Sequence, residues 1–498
     1  MLKVIISLIL LLIPLLASAQ TFEKKINIPP LKESDNRYFY VPFKFPAGAK
    51  SLSVSYEYDK KNGANVLDLG VFDSCVSKSK SDACGFRGWS GGRRNVIFIS
   101  ETTATNGYVA GKLPVGEWRV ILGLYKIASE GVEVMVKVKI NEIDAQAAQQ
   151  FADEKAKIFD FPKSPRSLPL QADGLTWFRG DLHMHTFHSD GSWNIKGILD
   201  YAAANNLDFV GITDHNTFSH HAELDALAPA YKNLLVMRGE EVTTYGGHFN
   251  VWGLPSGKWI DFRVMPKDSA HLQSIVDDVN KLGLAFSINH PTALCGGCDW
   301  SYGDEMWRSF SSVEIWNGSW DFQDEAALKK WDDMLRSGKR VRAIGSSDSH
   351  SPPAETNAYA TNLAIGTPTN FVGAKQLTQK DILTAIKSGR VWIAENPTYN
   401  LNFSVRSDSL RATIGDVLSV SAGKTAKFEF SGDNFPVGAT VTLVSRDGVA
   451  QKLILDKANF VANFMAKPSG NNYFRLEVRN STGKMLAFTN PIYLQTKA

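Results

Sequence analysis

The chain contains ten histidines, and all of them lie between His183 and His350. They fall into short polar clusters. Asp181-Leu-His183-Met-His185 comes first, with Ser189-Asp190-Gly191 just beyond it. Then come Thr213-Asp214-His215-Asn216, Gly239-Glu240-Glu241 followed by Gly247-His248, Asn289-His290-Pro291 and Ser347-Asp348-Ser349-His350. On an extended chain residues i and i+2 project to the same side, so His183 and His185 can face one ion together. Asp348 and His350 share that spacing. Imidazoles and carboxylates without thiolates suit zinc, manganese or iron, and a carboxylate can bridge two ions. One His-x-His arises by chance on many strands. Five clusters in succession point to a multinuclear metal site.

Something must bring these clusters to one place. Apolar runs stand before them or between them: FVGIT at 209–213, LLVM at 234–237, LAFSI at 284–288, VEIW at 313–316, VRAI at 341–344 and VWI at 391–393. Helix-length stretches alternate with these runs at 195–206, 269–282, 323–337 and 379–388. Alternating β and α units predict a mostly parallel sheet, open or closed into a barrel. In a barrel the carboxyl ends of all strands share one face, where the clusters would meet. The flanks read differently. Period-two alternation over 21–141 and again over 398–498 predicts antiparallel β-sandwiches, the second one smaller. Between the first flank and the centre, 143–160 is polar and Ala-rich, a helix or linker closed off by Pro162 and Pro165.

The whole chain has 498 residues, with Lys+Arg 54 against Asp+Glu 51 and a net charge of +3. That length holds several domains, and 44% hydrophobic content is that of a folded protein. The near-neutral balance gives no indication of nucleic acid or of an anionic membrane surface as partner. Residues 1–19 have one positive charge (Lys3), an apolar run and Ala17-Ser18-Ala19, the pattern of a cleaved signal peptide. Export to the periplasm or the medium is expected, with no stable membrane anchor. In an oxidising compartment the four cysteines pair most simply as Cys75–Cys84 and Cys295–Cys298, the latter a loop staple shortly after His290.

Taken in order, HMHTFHSDG, ITDHN, RGEEVTTYGGH, INHP and SSDSH resemble the motifs of the PHP (polymerase and histidinol phosphatase) superfamily of metallohydrolases. The exported form, with β domains on both sides, is similar to the branch named after carbaryl hydrolase. The resemblance covers about 177–397; FRGWSGG at 86–92 and GYVAGKLPVGEW at 107–118 fit that branch more loosely. It implies a distorted (β/α)7 barrel flanked by the two sandwiches, with two or three divalent ions (Zn, Mn or Fe). The domains would be a signal peptide at 1–19, a sandwich at 20–145, a linker at 146–172, the barrel at 173–397 and a second sandwich at 398–498. By the resemblance His183, His185, Glu241 and Asp348 hold one ion, and Glu241 bridges to a second held by His248 and His290. Asp190, His215 and His350 hold the third.

Glu240 alternates away from Glu241 along the strand, so Glu241 is taken as the bridge. Asp214, Glu241 and Asp348 are the residues expected to act in catalysis, Asp214 as an orienter or proton carrier. The expected function is a metal-dependent hydrolase of a small-molecule ester, first a phosphoester. One alternative is a carbamate, carboxyl ester or amide; another is a non-catalytic binding protein. None of these motifs encodes an oligomeric state. Other polar residues receive expectations of their own. Asp181 is expected to partner an imidazole. Arg179, Arg238 and Arg308 are the nearest candidates by sequence to grip an anion, although a solvated or salt-bridged Arg179 is the commoner outcome. His188, His220 and His221 could line an entrance or lie in a solvated loop. Glu314 and Asn317 could touch substrate or satisfy buried groups. His271 is structural, and Trp300, Trp307, Trp316 and Trp320 pack a core.

Overall fold

The computed structural model describes residues 19–33, 35–75, 84–162, 167–353, 364–467 and 470–497. Apart from Ala19, the expected signal segment lies outside these residues, as does Pro165. The molecule is multidomain and mostly β, with six α-helices among the described residues.

The first flank forms two four-stranded antiparallel sheets. One orders Gln20–Ile28, Val132–Ile140, Ser51–Tyr58 and Val96–Ser100; the other orders Tyr38–Phe45, Gly116–Lys126, Val66–Phe72 and Phe86–Trp89. Their alternation is strict where it counts. Val132, Val134, Val136, Val138 and Ile140 are buried against Val41, Leu52, Leu69 and Trp118, while Glu133 and Met135 point to solvent. Each such aliphatic side chain contributes on the order of 1.5–3 kcal/mol through burial. The Ala-rich stretch becomes α1 (Ala145–Ala156), capped by Asp144, and lies on Val96 and Phe98 of the first sheet.

The centre is built on β1 (Leu175–Asp181), β2 (Phe209–Ile212), β3 (Leu235–Thr244), β4 (Gly247–Trp252), β5 (Ala285–Ile288), β6 (Ser312–Asn317) and β7 (Ala343–Ser346), paired in that order. The helices follow from their caps. Asn194 opens α2 (Ile195–Ala204), Asp268 opens α4 (Ser269–Lys281), and Thr378 opens α6 (Gln379–Ser388), which ends on left-handed Gly389. Two more are α3 (His221–Leu227) and α5 (Phe322–Arg336), the latter begun by a capping box of Asp321 and Asp324.

The sheet departs from the expected parallel order in two ways. The pairs β1–β2, β2–β3, β5–β6 and β6–β7 are parallel, but β3 turns straight into β4, which is antiparallel to both its neighbours. The reason is local: Tyr245-Gly246-Gly247, with Gly247 at φ 129°, closes a hairpin onto a strand that the apolar runs did not mark. The second departure lies beyond β1. There the sheet continues antiparallel through β8 (Thr369–Ala374) and β9 (Val391–Ala394) into strand Met485–Thr489 of the second flank. The second flank is thus not free-standing. One of its sheets is an extension of the central one, sixteen strands in all, and Trp177, Phe371 and Trp392 pack in its core.

At the far end, the chain leaving β7 meets the chain leaving β1. Asp348 N–H donates to the His183 carbonyl at 3.0 Å, and His185 N–H donates to the Ser349 carbonyl at 2.9 Å.

Candidate metal centre

The nine expected ligands gather in one cluster, five of its histidines around the Glu241 carboxylate. Glu241 leaves β3 fully buried, and its two oxygens lie within 3.5 Å of ring nitrogens from five histidines. The separations are 3.3 Å to His183, 3.5 Å to His185, 2.8 Å to His215, 3.2 Å to His248 and 3.5 Å to His290. Asp348 sits 3.2 Å from His183 and 3.0 Å from His185. Asp190 closes the other side, 3.5 Å from His215 and 3.4 Å from His350.

The donor atoms gather into three groups: His183, His185 and Glu241; His215, Glu241 and His248; and His185, Asp190, His215 and His350. His215 and His185 are therefore shared between groups, where the resemblance gave each of them to one ion. Glu240 turns the opposite way and accepts from Ile260 N–H at 2.8 Å.

Electrostatics separate the two glutamates. Burial alone pushes the Glu241 carboxyl up, but His215, His183 and His248 hold it well below the usual carboxylate range. Burial raises Glu240 well above that range. Burial, with His350 and His215 alongside, pushes His185 down to about 4, which leaves a neutral imidazole. The buried oxygens Glu241 Oε2 and Asp190 Oδ1 and the nitrogens His183 Nε2, His248 Nδ1 and His290 Nδ1 have no hydrogen-bond partner. Buried orphans of this kind are rare in folded proteins. Acceptor oxygens facing unpartnered imidazoles fit divalent cations.

Outer contacts hold the ligands in place. Glu314 lies 3.2 Å from His183 Nδ1 and accepts from His290 N–H at 2.9 Å, and Asn317 Nδ2 donates to it. Thr243 pairs with His215 Nδ1, and Asn289 Nδ2 donates to Glu241 at 2.8 Å. Such partners fix ring orientation and tautomer. Two ligands stand on strained backbone, His290 at φ 26° and Asp348 at φ 53°. Each costs about 1–3 kcal/mol unless its surroundings hold it, as the bonds at both N–H groups do here.

Several expectations change in this geometry. Asp181 holds backbone and not an imidazole: it accepts from His183, Ser347 and Gly366 N–H groups. Asp214 is buried; it accepts from Thr186 N–H and Oγ1 and from Ser189 Oγ, lies 3.4 Å from His220 Nδ1, and so shapes the loop after His185. Arg179 is bound to Asp208 at 3.1 Å and to Ser167, Arg238 pairs with Asp225, and Arg308 pairs with Glu305. His220 and His221 are buried, and His188 is bonded to Ser219 at 2.8 Å, so none of the three lies in solvated loop. His271 sits on α4, where its N–H is capped by Asp268. Trp316 and Trp320 pack on Phe488 of the second flank. Both cysteine pairs are bonded, Cys75 to Cys84 and Cys295 to Cys298. Thr243, Asn289, Arg93 and Arg94 escaped the sequence reading. The signal for the arginines was the Arg-Arg directly after FRGWSGG.

No family model and no curated protein matches the chain. Among solved structures it is similar to a two-domain protein of Bacteroides vulgatus containing a predicted PHP-like metal-dependent phosphoesterase. That match is 18% identical and covers 67% of this chain and 100% of that one, at a TM-score of 0.40. An amidohydrolase of Chromobacterium violaceum with bound sulfate is 16% identical over 37% of this chain and 93% of its own, TM-score 0.26. A Bifidobacterium adolescentis protein described as a metal-dependent phosphoesterase is 15% identical over 37% and 92%, TM-score 0.26.

Proposed function

We propose that the chain is a metal-dependent hydrolase of ester bonds, with a phosphoester as substrate. One observation carries this: nine ligand-competent side chains from separate strand ends converge, six imidazoles and three carboxylates, with Glu241 within 3.5 Å of five of them. In the full reading His183, His185, Glu241 and Asp348 hold one cation, Glu241, His248 and His290 a second, and Asp190, His215 and His350 a third. When bound, such ions supply a nucleophilic water at neutral pH and stabilise charge on oxygen. The chain's own work is positional. Glu314 and Thr243 orient His183 and His215, and Asn289 orients Glu241. Asp214 is a positioning residue for the loop 186–189.

The same proposal takes β1–β7 as a PHP-like (β/α)7 barrel, supported by the two hydrogen bonds that join the chain after β7 to the chain after β1. The domain limits at 20–145, 173–397 and 398–498 and export to an oxidising compartment belong to it too; the two disulfides support the latter.

One observation favours a second reading, hydrolysis of a carbamate, carboxyl ester or amide. Arg179, Arg238 and Arg308 are each paired with a carboxylate of the chain itself, Asp208, Asp225 and Glu305. Both readings are tested on one metal-loaded preparation by comparing kcat/KM for an aryl phosphate, a bis-aryl phosphate and an aryl carbamate. Phosphoester turnover that a strong chelator abolishes and Zn or Mn restores is the expected result. A carbamate preferred by about tenfold selects the second reading. Less than one equivalent of bound metal with chelator-insensitive activity overturns both.

A further inference from the structure

The loop 187–191 carries Asp190 and is gripped from outside the central sheet. Arg94 is 2% exposed; its guanidinium donates to the carbonyls of Phe187 at 2.7 Å and Ser189 at 3.1 Å. Glu154 on α1 neutralises it at 2.9 Å, and Asn106 donates to the same carboxylate at 2.8 Å. Arg93, next in sequence, donates to the carbonyls of Asp190 at 3.0 Å and Gly191 at 3.3 Å. Two consecutive side chains of the first flank thus hold four of the five carbonyls of this loop. The loop also lies flat on the segment that carries His185: a Cβ at Gly191 would stand 2.4 Å from the His185 carbonyl oxygen. A buried Arg–Glu pair is a poor source of stability, because desolvating both ions costs several kcal/mol. Its better-attested use is to set register, and the planar guanidinium fork suits that task.

On the other side of the same loop, Asp190 Oδ1 is buried between His215 and His350 with no hydrogen-bond partner.

We infer that Arg93 and Arg94 are positioning residues for the cation site of Asp190, His215 and His350, so that this site is complete only when the first flank is docked on the loop. The inference rests on the metal-dependent reading above and adds the origin of its third site. Arg93→Ala is the clean variant, since Arg93 is exposed and the Arg94–Glu154 pair stays intact.

The test titrates metal-free wild type, Arg93→Ala, Asp190→Ala and the double variant with Zn by calorimetry against a competing chelator. Thermal melts check that each is folded. The expected result is about tenfold or greater weakening of one equivalent in Arg93→Ala, with the tighter equivalents unmoved. Asp190→Ala should lose that same equivalent, and the double variant should lose nothing more. Unchanged titration in Arg93→Ala, uniform weakening of every equivalent, or a further additive loss in the double variant overturns the inference. So does a wild type that binds only two equivalents. A wild type that binds no metal overturns the hydrolase reading itself, which keeps the two failures apart.

Discussion

Glu240 and Glu241 are neighbours in sequence and opposites in chemistry, because one step along a strand moves a side chain to the other face. The histidines around Glu241 hold its carboxyl well below the usual range, while burial holds Glu240, which accepts from Ile260 N–H, well above it. Glu241→Gln removes the shared anion and should cut turnover by about a hundredfold, with a fall in bound metal. Glu240→Gln keeps a neutral group and an acceptor in place. It should leave turnover within about twofold and metal content unchanged. Elemental analysis beside steady-state rates reads both, and an equal loss in the two variants would reverse the assignment. At this scale the site was largely legible, since ligands need a residue type and a spacing and both are written in the chain. Asp214 and Asp181 were not. Their carboxylates stand beside ligands in sequence, yet loop geometry turns them to backbone and hydroxyl donors.

Helix α5 begins with two acids, and the inner one has an unusual proton affinity. Asp324 accepts from Asn317 N–H at 3.0 Å and Asp321 N–H at 2.8 Å, but burial pushes it up to about 8, with Asp321 and Glu314 adding to the rise. The sign follows from linkage. An unfolded aspartate ionises near pH 4, so between about pH 4 and 8 the unfolded state sheds a proton that the native state keeps, and stability falls across that window. Asp324→Asn has no such proton, so its melting temperature should gain on wild type as pH rises from 4 to 8 and run parallel above that. Parallel melting curves throughout the window would show that Asp324 is ionised in the native state. Helix limits such as these were readable from Asp, Asn and Thr caps. The β3–β4 hairpin was not: an apolar run followed by polar ligands looks the same whether a helix or a return strand comes next, and only the glycine turn decides.

Across the whole molecule the second flank shares its backbone ladder with the centre, through Trp392, Ile393 and Ala394 paired to Thr489, Phe488 and Ala487. Asp332 on α5 also takes Arg475 at 2.9 Å and Tyr473 at 2.8 Å. A chain ended at residue 397 therefore leaves β9 as an open edge and Trp177, Phe371 and Trp392 uncovered. It should lack a cooperative thermal transition and bind metal poorly. A sharp melt with full metal content would show that the centre folds alone. Sequence could mark this flank as β but not as an extension of the same sheet, because which edges join is decided by pairs far apart in the chain. The same distance bears on how the protein matures. His185 and Asp348 touch across 163 residues, and the backbone bonds beside them join the start of the central sheet to its end. The set of Glu241, His248 and His290 is in hand once residue 290 is made, whereas the sets that need Asp348 or His350 wait for residue 350. Such non-local pairing also folds slowly. Of the three proposed sites, the two that need the end of the central sheet would therefore be the last to form.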